Sequence, residues 1–271
     1  MSHKKTGGVP RSEPPKVLLL ENIHQTAVET MAREGLVVQT LPKSLPKNDL
    51  IAKLAGVQVL GIRSKTKVSE EIIRAAPDLQ AIGCFCIGVN QVNLKAATQS
   101  GVAVFNAPYS NTRSVAELVI GASIMLVRKI VDKNKAAHNG IWLKEATGSH
   151  ELRGKTIGII GYGNIGRYMS QIGRGFGMEV FAYKRNMDRL ALQIDGVTPA
   201  NSFEDIFEHC EYVSLHIPST SETKGVINYH LLKLLPKNGM LVNTARLDVV
   251  NEDDLLKLMG ERNDVTYVTD F

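Results

Sequence analysis

From Lys16 to its end the chain alternates short runs of β-branched and aliphatic residues with stretches whose apolar positions recur at helical spacing. Val17-Leu18-Leu19-Leu20, Val57 to Ile62, Leu79 to Ile82 and Val102 to Phe105 predict four strands. Each is followed by polar turn residues and then a helix or loop, the first helix running through Met31 and stopping near Gly35. Segments 155–160, 178–183, 211–217, 239–243 and 265–270 predict five more strands. Strands that alternate with helices belong to parallel sheets, which bury both faces and so read as near-continuous apolar runs. Residues 1–15 carry no such pattern and read as a disordered polar tail.

A long helix is predicted from Ser114, because Ser114-Val115-Ala116-Glu117 has the form of a capping box. The run Leu118 to Val127 that follows is apolar on nearly all sides, so this helix is expected to be mostly buried. It suits the connection between two domains, 16–110 and 111–271. A later helix, 164–176, carries Ile165, Met169, Ile172 and Phe176 on one face, as expected for packing on a sheet, while Gly173 and Gly175 weaken its last turn.

Length and composition agree with two domains: 271 residues with 44% hydrophobic content can bury two cores. No apolar run reaches the length of a membrane span, and Met-Ser-His-Lys-Lys-Thr-Gly-Gly has no apolar core of a secretory signal behind its charges. The net charge of +5 is scattered, with no basic tract or RNA-binding aromatic motif, which suits a small anionic ligand and gives no sign of nucleic acid. Cys84 and Cys86 alternate along an apparent strand and read as buried thiols, Cys210 stands alone, and no second Cys or His pair has ligand spacing. A reducing cytoplasm and no metal are therefore expected.

The chemistry begins at Gly154-Lys-Thr-Ile-Gly-Ile-Ile-Gly-Tyr-Gly-Asn-Ile-Gly166. A strand runs into glycines at 161, 163 and 166 and then into a helix, the dinucleotide-binding fingerprint of a Rossmann unit. The first glycine makes the tight turn, the second admits a pyrophosphate to the backbone and the third lets the helix pack close to the strand. Asn164 and Ile165 open the helix, where amides and dipole favour anions. The next strand ends in Lys184-Arg185, where an NAD site usually has a carboxylate for the ribose hydroxyls. Two cations there attract a 2′-phosphate, so NADP is expected to be tolerated or preferred. The plain alternative is that both side chains are solvated and NAD binds through the remaining contacts.

Three further segments carry a resemblance. Gly61-Ile-Arg-Ser-Lys-Thr66, Ile82-Gly-Cys-Phe-Cys-Ile-Gly-Val-Asn-Gln-Val92 and Phe105-Asn-Ala-Pro-Tyr-Ser-Asn-Thr-Arg-Ser-Val-Ala-Glu117 closely resemble the D-isomer-specific 2-hydroxyacid dehydrogenases, and within them the phosphoglycerate branch. Leu215-His-Ile-Pro218 and Asn243-Thr-Ala-Arg246 look like two more signatures of that family, and the likeness covers roughly Lys16 to Phe271. It implies an α/β fold of two Rossmann-like parallel-sheet domains, a flavodoxin-like substrate domain with an inserted NAD(P)-binding domain. It also implies hydride transfer between a nicotinamide cofactor and a D-2-hydroxy acid, with 3-phosphoglycerate and 3-phosphohydroxypyruvate as the pair that opens serine biosynthesis.

By the same resemblance Arg246 is the catalytic arginine that grips the 2-oxo-carboxylate and polarises its carbonyl, a task for a forked guanidinium. Arg63 and Ser64, with Lys65 beside them, bind substrate and its phosphate; an ordinary solvated turn is the alternative. Ile87 and Gly88 offer amides to the carboxylate, and Asn111 lies at the edge of the site, unless it is simply a cap. For the cofactor, Pro218 stands on the adenine side, Thr244 and Ala245 near the nicotinamide, and Asp270 accepts from the carboxamide; His216 has the place of a family histidine beside the cofactor, unless it simply ends its strand. Trp142 matches a family tryptophan associated with subunit contact, local packing being the alternative, and a homo-oligomer, dimer or tetramer, is expected. The family has glycine after its arginine where this chain has Leu247-Asp248, so the local turn is expected to differ.

The family's general acid, a histidine held by a glutamate, comes after the point matched by Asp270-Phe271. The expectation is that these 271 residues alone do not turn over. A second reading is a non-catalytic NAD(P)-binding sensor or partner-binding module of the same fold; Arg246 and Arg63-Ser64-Lys65 favour the enzyme, since a sensor has less need of substrate anchors.

Overall fold

The computed structural model describes residues 13–186 and 188–271, so most of the polar tail expected over 1–15 lies outside the described residues. The chain divides between Ser110 and Asn111 into two compact units, each built on one parallel sheet.

The first unit runs β1 (Lys16–Leu19), α1 (Gln25–Arg33), β2 (Val37–Thr40), α2 (Lys47–Lys53), β3 (Val59–Ile62), α3 (Glu70–Arg74), β4 (Ala81–Cys84), α4 (Leu94–Gln99) and β5 (Ala103–Asn106). Its strands lie in the order β2-β1-β3-β4-β5, all parallel. Leu18, Leu20, Leu60, Ile62 and Ile82 form its core with Leu50, Leu54, Ile72 and Ile73 of the helices. The strand order reverses between β1 and β3, and ligands of open parallel sheets bind beyond the carboxyl ends of the strands at such a point.

The second unit begins with α5 (Thr112–Val127) and α6 (Ile130–His138). It continues with β6 (Thr156–Ile160), α7 (Asn164–Gly175), β7 (Glu179–Tyr183), α8 (Arg189–Ile194), β8 (Thr198–Pro199), α9 (Phe203–His209) and β9 (Tyr212–Leu215). It closes with α10 (Tyr229–Leu232), β10 (Met240–Asn243), α11 (Glu252–Glu261) and β11 (Thr266–Thr269). The order β11-β10-β9-β6-β7-β8 puts the reversal between β6 and β9. The pleat divides the core: Ile157, Ile159, Val180 and Val242 face one layer with Val119 and Met169, and Ile160, Val213, Leu215 and Leu241 face another with Phe207, Leu232 and Leu258. Among the described residues no helix is long and apolar enough to cross a membrane.

Three expectations need correction. Two strands went unpredicted, β2 and β8, both at sheet edges; β2 is largely exposed and β8 has two residues, so neither shows the apolar run of a covered strand. The long helix starts at Thr112, not Ser114: the Ser114 hydroxyl donates to Asn111 O at 3.0 Å instead of capping, and Glu117 pairs with Arg113 at 2.5 Å. That helix is buried on one side only, with Leu118 48% and Met125 44% exposed. Finally, on α7 Met169 and Ile172 pack on the core as expected, but the buried face also takes in Gly166, Ser170 and Gly173, while Phe176 is exposed. Small residues let the helix sit closer to the sheet than the larger apolar stripe would, and a Cβ on Gly173 would lie 3.5 Å from Val180.

Candidate functional site

At the carboxyl end of β6 the backbone turns at Gly161 with φ of +103°, and a Cβ there would stand 2.4 Å from His216 O. A Cβ on Gly166 would stand 2.3 Å from Gly161 O, so both glycines are demanded by the fold itself. Gly163 differs. Its φ is −93° and a Cβ would meet no atom within 4 Å beyond its chain neighbours, so nothing among the described residues calls for glycine there. The open volume lies at the N-terminus of α7, whose cap residue is Gly163 and whose first amides receive no side-chain cap. Asn164, Ile165 and Gly166 form that first turn, and such a helix start is a ready anion site.

Beside it is a cavity of 720 Å³. Gly161, Gly163, Lys184, Arg185, His216 and Pro218 line it together, with Tyr183 and Glu222. Its floor includes Tyr183 edge-on to Phe203, the ring centres 4.9 Å apart. Lys184 and Arg185 are both exposed, but Arg185 is engaged: its guanidinium donates to the Glu222 carboxylate on the opposite lip. His216 shares a 2.9 Å hydrogen bond between Nε2 and Ser214 Oγ, and burial pushes its pKa down to about 4, so the imidazole is neutral near pH 7.

Thr244, Ala245 and Arg246 follow β10, and the residue that shapes their turn is Asn243, fully buried. Its Oδ1 accepts from Ala245 N–H at 3.1 Å, and its Nδ2 donates to Arg246 O at 3.0 Å and the Tyr267 hydroxyl at 3.3 Å. Thr244 Oγ1 is buried without a hydrogen-bond partner among the described residues, an orphan that a bound polar group would satisfy. Arg246 is exposed, donates from Nη1 to Ala245 O at 2.7 Å and has no carboxylate partner among the described residues. The turn after it is a 3₁₀ segment, Leu247–Val249, and the Asp248 carboxylate accepts from Ser219 Oγ at 2.7 Å, tying it to the cavity's rim. Asn243 pairs with Thr269 across β10 and β11, so Thr244 and Asp270 leave adjacent strands at the same end of the sheet. Neither they nor Ala245 line the cavity.

In the first unit Arg63 and Ser64 are exposed on the loop after β3, and Ile87 and Gly88 are half-buried on the loop after β4. Asn106 Nδ2 donates to Ile87 O at 2.7 Å. Two buried residues to which the sequence reading gave no role hold this region: Glu21, which no motif announces, and Gln91, near the end of the Ile82–Val92 segment, 8% and 4% exposed. Cys84 is buried, which pushes its thiol up to about 11, whereas Cys86, expected to be equally buried on the strand, lies past its end and is half-buried. Asn111 occupies the cap position of α5 but its side chain caps nothing. Trp142 is 82% exposed in the second unit. Among the described residues no three His, Cys, Asp or Glu side chains cluster as metal ligands.

Residues 120–271 match the model for the D-isomer specific 2-hydroxyacid dehydrogenase, NAD binding domain. The chain is 45% identical over 235 residues to the D-3-phosphoglycerate dehydrogenase of Dictyostelium discoideum, covering 87% of this chain and 57% of that protein. It is 42% identical over 247 residues to the D-3-phosphoglycerate dehydrogenase of Haemophilus influenzae, covering 91% and 60%. It thus spans somewhat over half the length of these curated relatives. Among solved structures, the NAD⁺-bound 3-phosphoglycerate dehydrogenase of Entamoeba histolytica superposes with a TM-score of 0.78 at 32% identity, over 96% of this chain and 80% of that one.

Proposed function

The chain belongs to the D-isomer-specific 2-hydroxyacid dehydrogenases, and on that premise we propose that it serves hydride transfer between a nicotinamide dinucleotide and an anionic D-2-hydroxy acid, the pair being 3-phosphoglycerate and 3-phosphohydroxypyruvate at the entry to serine biosynthesis. The observation that carries the reading is Gly163: a glycine the fold does not need, set where a pyrophosphate must approach a helix N-terminus.

In this reading the second unit is the cofactor domain and residues 16–110 the substrate domain. The amides of Asn164 and Ile165 take the pyrophosphate, with Gly161, Gly163 and Gly166 giving room. Pro218 and neutral His216 lie on the adenine side, Thr244 offers its unpartnered hydroxyl and Ala245 its surface near the nicotinamide, and Asp270 accepts from the carboxamide. When bound, the dinucleotide supplies or receives the hydride. Arg246 meets the substrate carboxylate with its fork and draws charge onto the 2-oxo oxygen. Arg63 and Ser64 take the phosphate, Ile87 and Gly88 present amides, and Asn111 borders the site. Three free thiols support a reducing cytoplasm as its location. Titrating NADH into the protein, and 3-phosphoglycerate into the NADH complex, tests binding; NADH oxidation on adding 3-phosphohydroxypyruvate, run on these 271 residues and on a version extended past Phe271, tests the reaction, with turnover expected only from the extended version. Saturable binding of both and preference for the phosphorylated acid are expected, and indifference to the phosphate defeats the substrate assignment.

NAD use follows the family; Lys184 and Arg185 extend it to NADP. A 2′-phosphate must compete with the Glu222 carboxylate for Arg185. Glu222→Gln is therefore expected to tighten NADPH binding several-fold, on the order of 1 kcal/mol at low salt and less at high salt, with NADH nearly unaffected. A clear NADH preference in both proteins at moderate salt overturns the NADP assignment.

The protein assembles as a homo-oligomer. The support is six large apolar side chains between residues 118 and 142, Leu118, Met125, Ile130, Val131, Ile141 and Trp142, each more than 40% exposed, on the second unit. Trp142→Arg is expected to shift the sedimentation coefficient toward the monomer without lowering NADH affinity; an unchanged coefficient, or a wild-type monomer, counts against it.

A further inference from the structure

We propose that Glu21 and Gln91 are positioning residues that hold the Arg63–Thr66 loop and the Ile87–Gly88 loop in the shape that binds the substrate's anionic groups, an inference that rests on the reading of those loops as the substrate anchors.

Glu21 lies two residues past β1, at the strand reversal between β1 and β3. It has φ of +61° and is followed by Asn22 at +55°, two successive left-handed residues without glycine. Each such residue costs about 1–2 kcal/mol, so the turn persists only if something repays it. What it achieves is to drive a carboxylate beneath the loop after β3. Glu21 Oε1 accepts from Arg63 N–H at 3.2 Å and Thr66 N–H at 2.8 Å, and Oε2 accepts from Lys65 N–H at 2.9 Å. No cation side chain pairs with it among the described residues. Burial opposes its ionisation, but the loop's hydrogen bonds outweigh this and hold the carboxyl below its ordinary range, so it is a carboxylate at neutral pH.

The loop backbone is thereby turned inward while the side chains of Arg63, Ser64 and Lys65 are exposed. Two cations and a hydroxyl stand on a backbone fixed at three of four amides. Preorganised groups bind an anion without the ordering cost that a mobile loop would add.

Gln91 extends the bracket to the second loop. Its Nε2 donates to Arg63 O at 2.9 Å and Gly88 O at 3.2 Å and contacts Cys86 Sγ at 3.2 Å. Main-chain bonds run alongside, from Val68 N–H to Gln91 O at 2.8 Å and from Asn93 N–H to Val68 O at 2.9 Å. One buried carboxamide thus joins the backbone of the arginine loop to that of the glycine loop. A buried carboxylate spent on the backbone of the arginine loop, and a buried carboxamide that ties that loop to the glycine loop, exceed what a solvated turn requires.

The test is a double-mutant cycle read by calorimetric titration of 3-phosphoglycerate into the full chain saturated with NADH. Glu21→Gln places an amide group against the loop's N–H donors and is expected to weaken 3-phosphoglycerate about tenfold while NADH affinity stays within twofold. Gln91→Met, which keeps the volume and removes the donor, is expected to act in the same direction. In an Arg63→Ala background the effect of Glu21→Gln is expected to shrink to less than half its size on a logarithmic scale, because it works through the loop that carries the arginine. A general loss of packing would add independently. Full additivity with Arg63→Ala, or unchanged affinity in both Glu21→Gln and Gln91→Met, overturns the proposal; should Glu21→Gln fail to fold, the Gln91→Met cycle decides. If Arg63→Ala itself leaves 3-phosphoglycerate affinity unchanged, it is the substrate-anchor reading that fails.

Discussion

Gly163→Ala is expected to abolish most of the cofactor affinity while leaving the thermal midpoint within about 2 °C of the parent. Among the described residues the added methyl meets no atom within 4 Å beyond its chain neighbours, and with φ of −93° it brings no backbone strain. It does occupy the space through which a pyrophosphate reaches the amides of α7. Losing one or two charged hydrogen bonds there costs about 1.5–3 kcal/mol each, or roughly tenfold to beyond a hundredfold in NADH affinity. Gly166→Ala should fail differently, since its methyl would collide with Gly161 O at 2.3 Å and the helix must move off the strand. A stability loss of about 1–3 kcal/mol is expected alongside lost binding. Thermal melts and NADH fluorescence titrations of the two variants separate a glycine kept for a ligand from one kept for the fold. If Gly163→Ala binds NADH as the parent does, the dinucleotide reading of the cavity is wrong.

The contrast between these glycines was not legible in the sequence, although the fingerprint was. A spacing rule marks Gly161, Gly163 and Gly166 alike, and only neighbouring atoms distinguish them. The same limit runs through the rest of the chain. Strands covered on both faces, such as β6 and β10, announced themselves as apolar runs, whereas β2, exposed along most of its length, and β8, only two residues long, went unread. The start of α5 was misplaced because Ser114 and Glu117 stand at capping spacing, yet Glu117 finds Arg113 and the serine finds a carbonyl. The polar residues that shape the candidate sites were missed for a related reason. Glu21 meets a loop more than forty positions away, Glu222 meets Arg185 across the cavity mouth, and Asn243 reaches Tyr267 on the next strand. Such pairings are fixed by tertiary approach and carry no local period. A buried charge or amide beside a motif, read together with sheet order, is the one trace they leave.

In a version extended past Phe271 through the family's glutamate and histidine, Arg246→Ala is expected to lower kcat/KM for the reduction of 3-phosphohydroxypyruvate by NADH about 10²–10³-fold, the loss typical of one preorganised donor at a developing oxyanion. The fold should not notice. The side chain is exposed and bonds Ala245 O, and the turn beneath it is held by buried Asn243, which bonds the backbone of residues 245 and 246 whatever side chain follows. Unchanged melting and unchanged NADH affinity are therefore part of the expectation. Arg246→Lys restores the charge without the fork, so it should recover only a part of the loss, with KM remaining raised because a single ammonium cannot meet both carboxylate oxygens. Asn243→Ala supplies the complementary case: it keeps the guanidinium but removes the bonds that aim its backbone, and should weaken catalysis while also destabilising the fold. Steady-state kinetics on these three variants, with melts beside them, distinguish an arginine that acts on substrate from one that is merely solvated. Arg246→Ala within about threefold of the parent in kcat/KM would falsify its catalytic role.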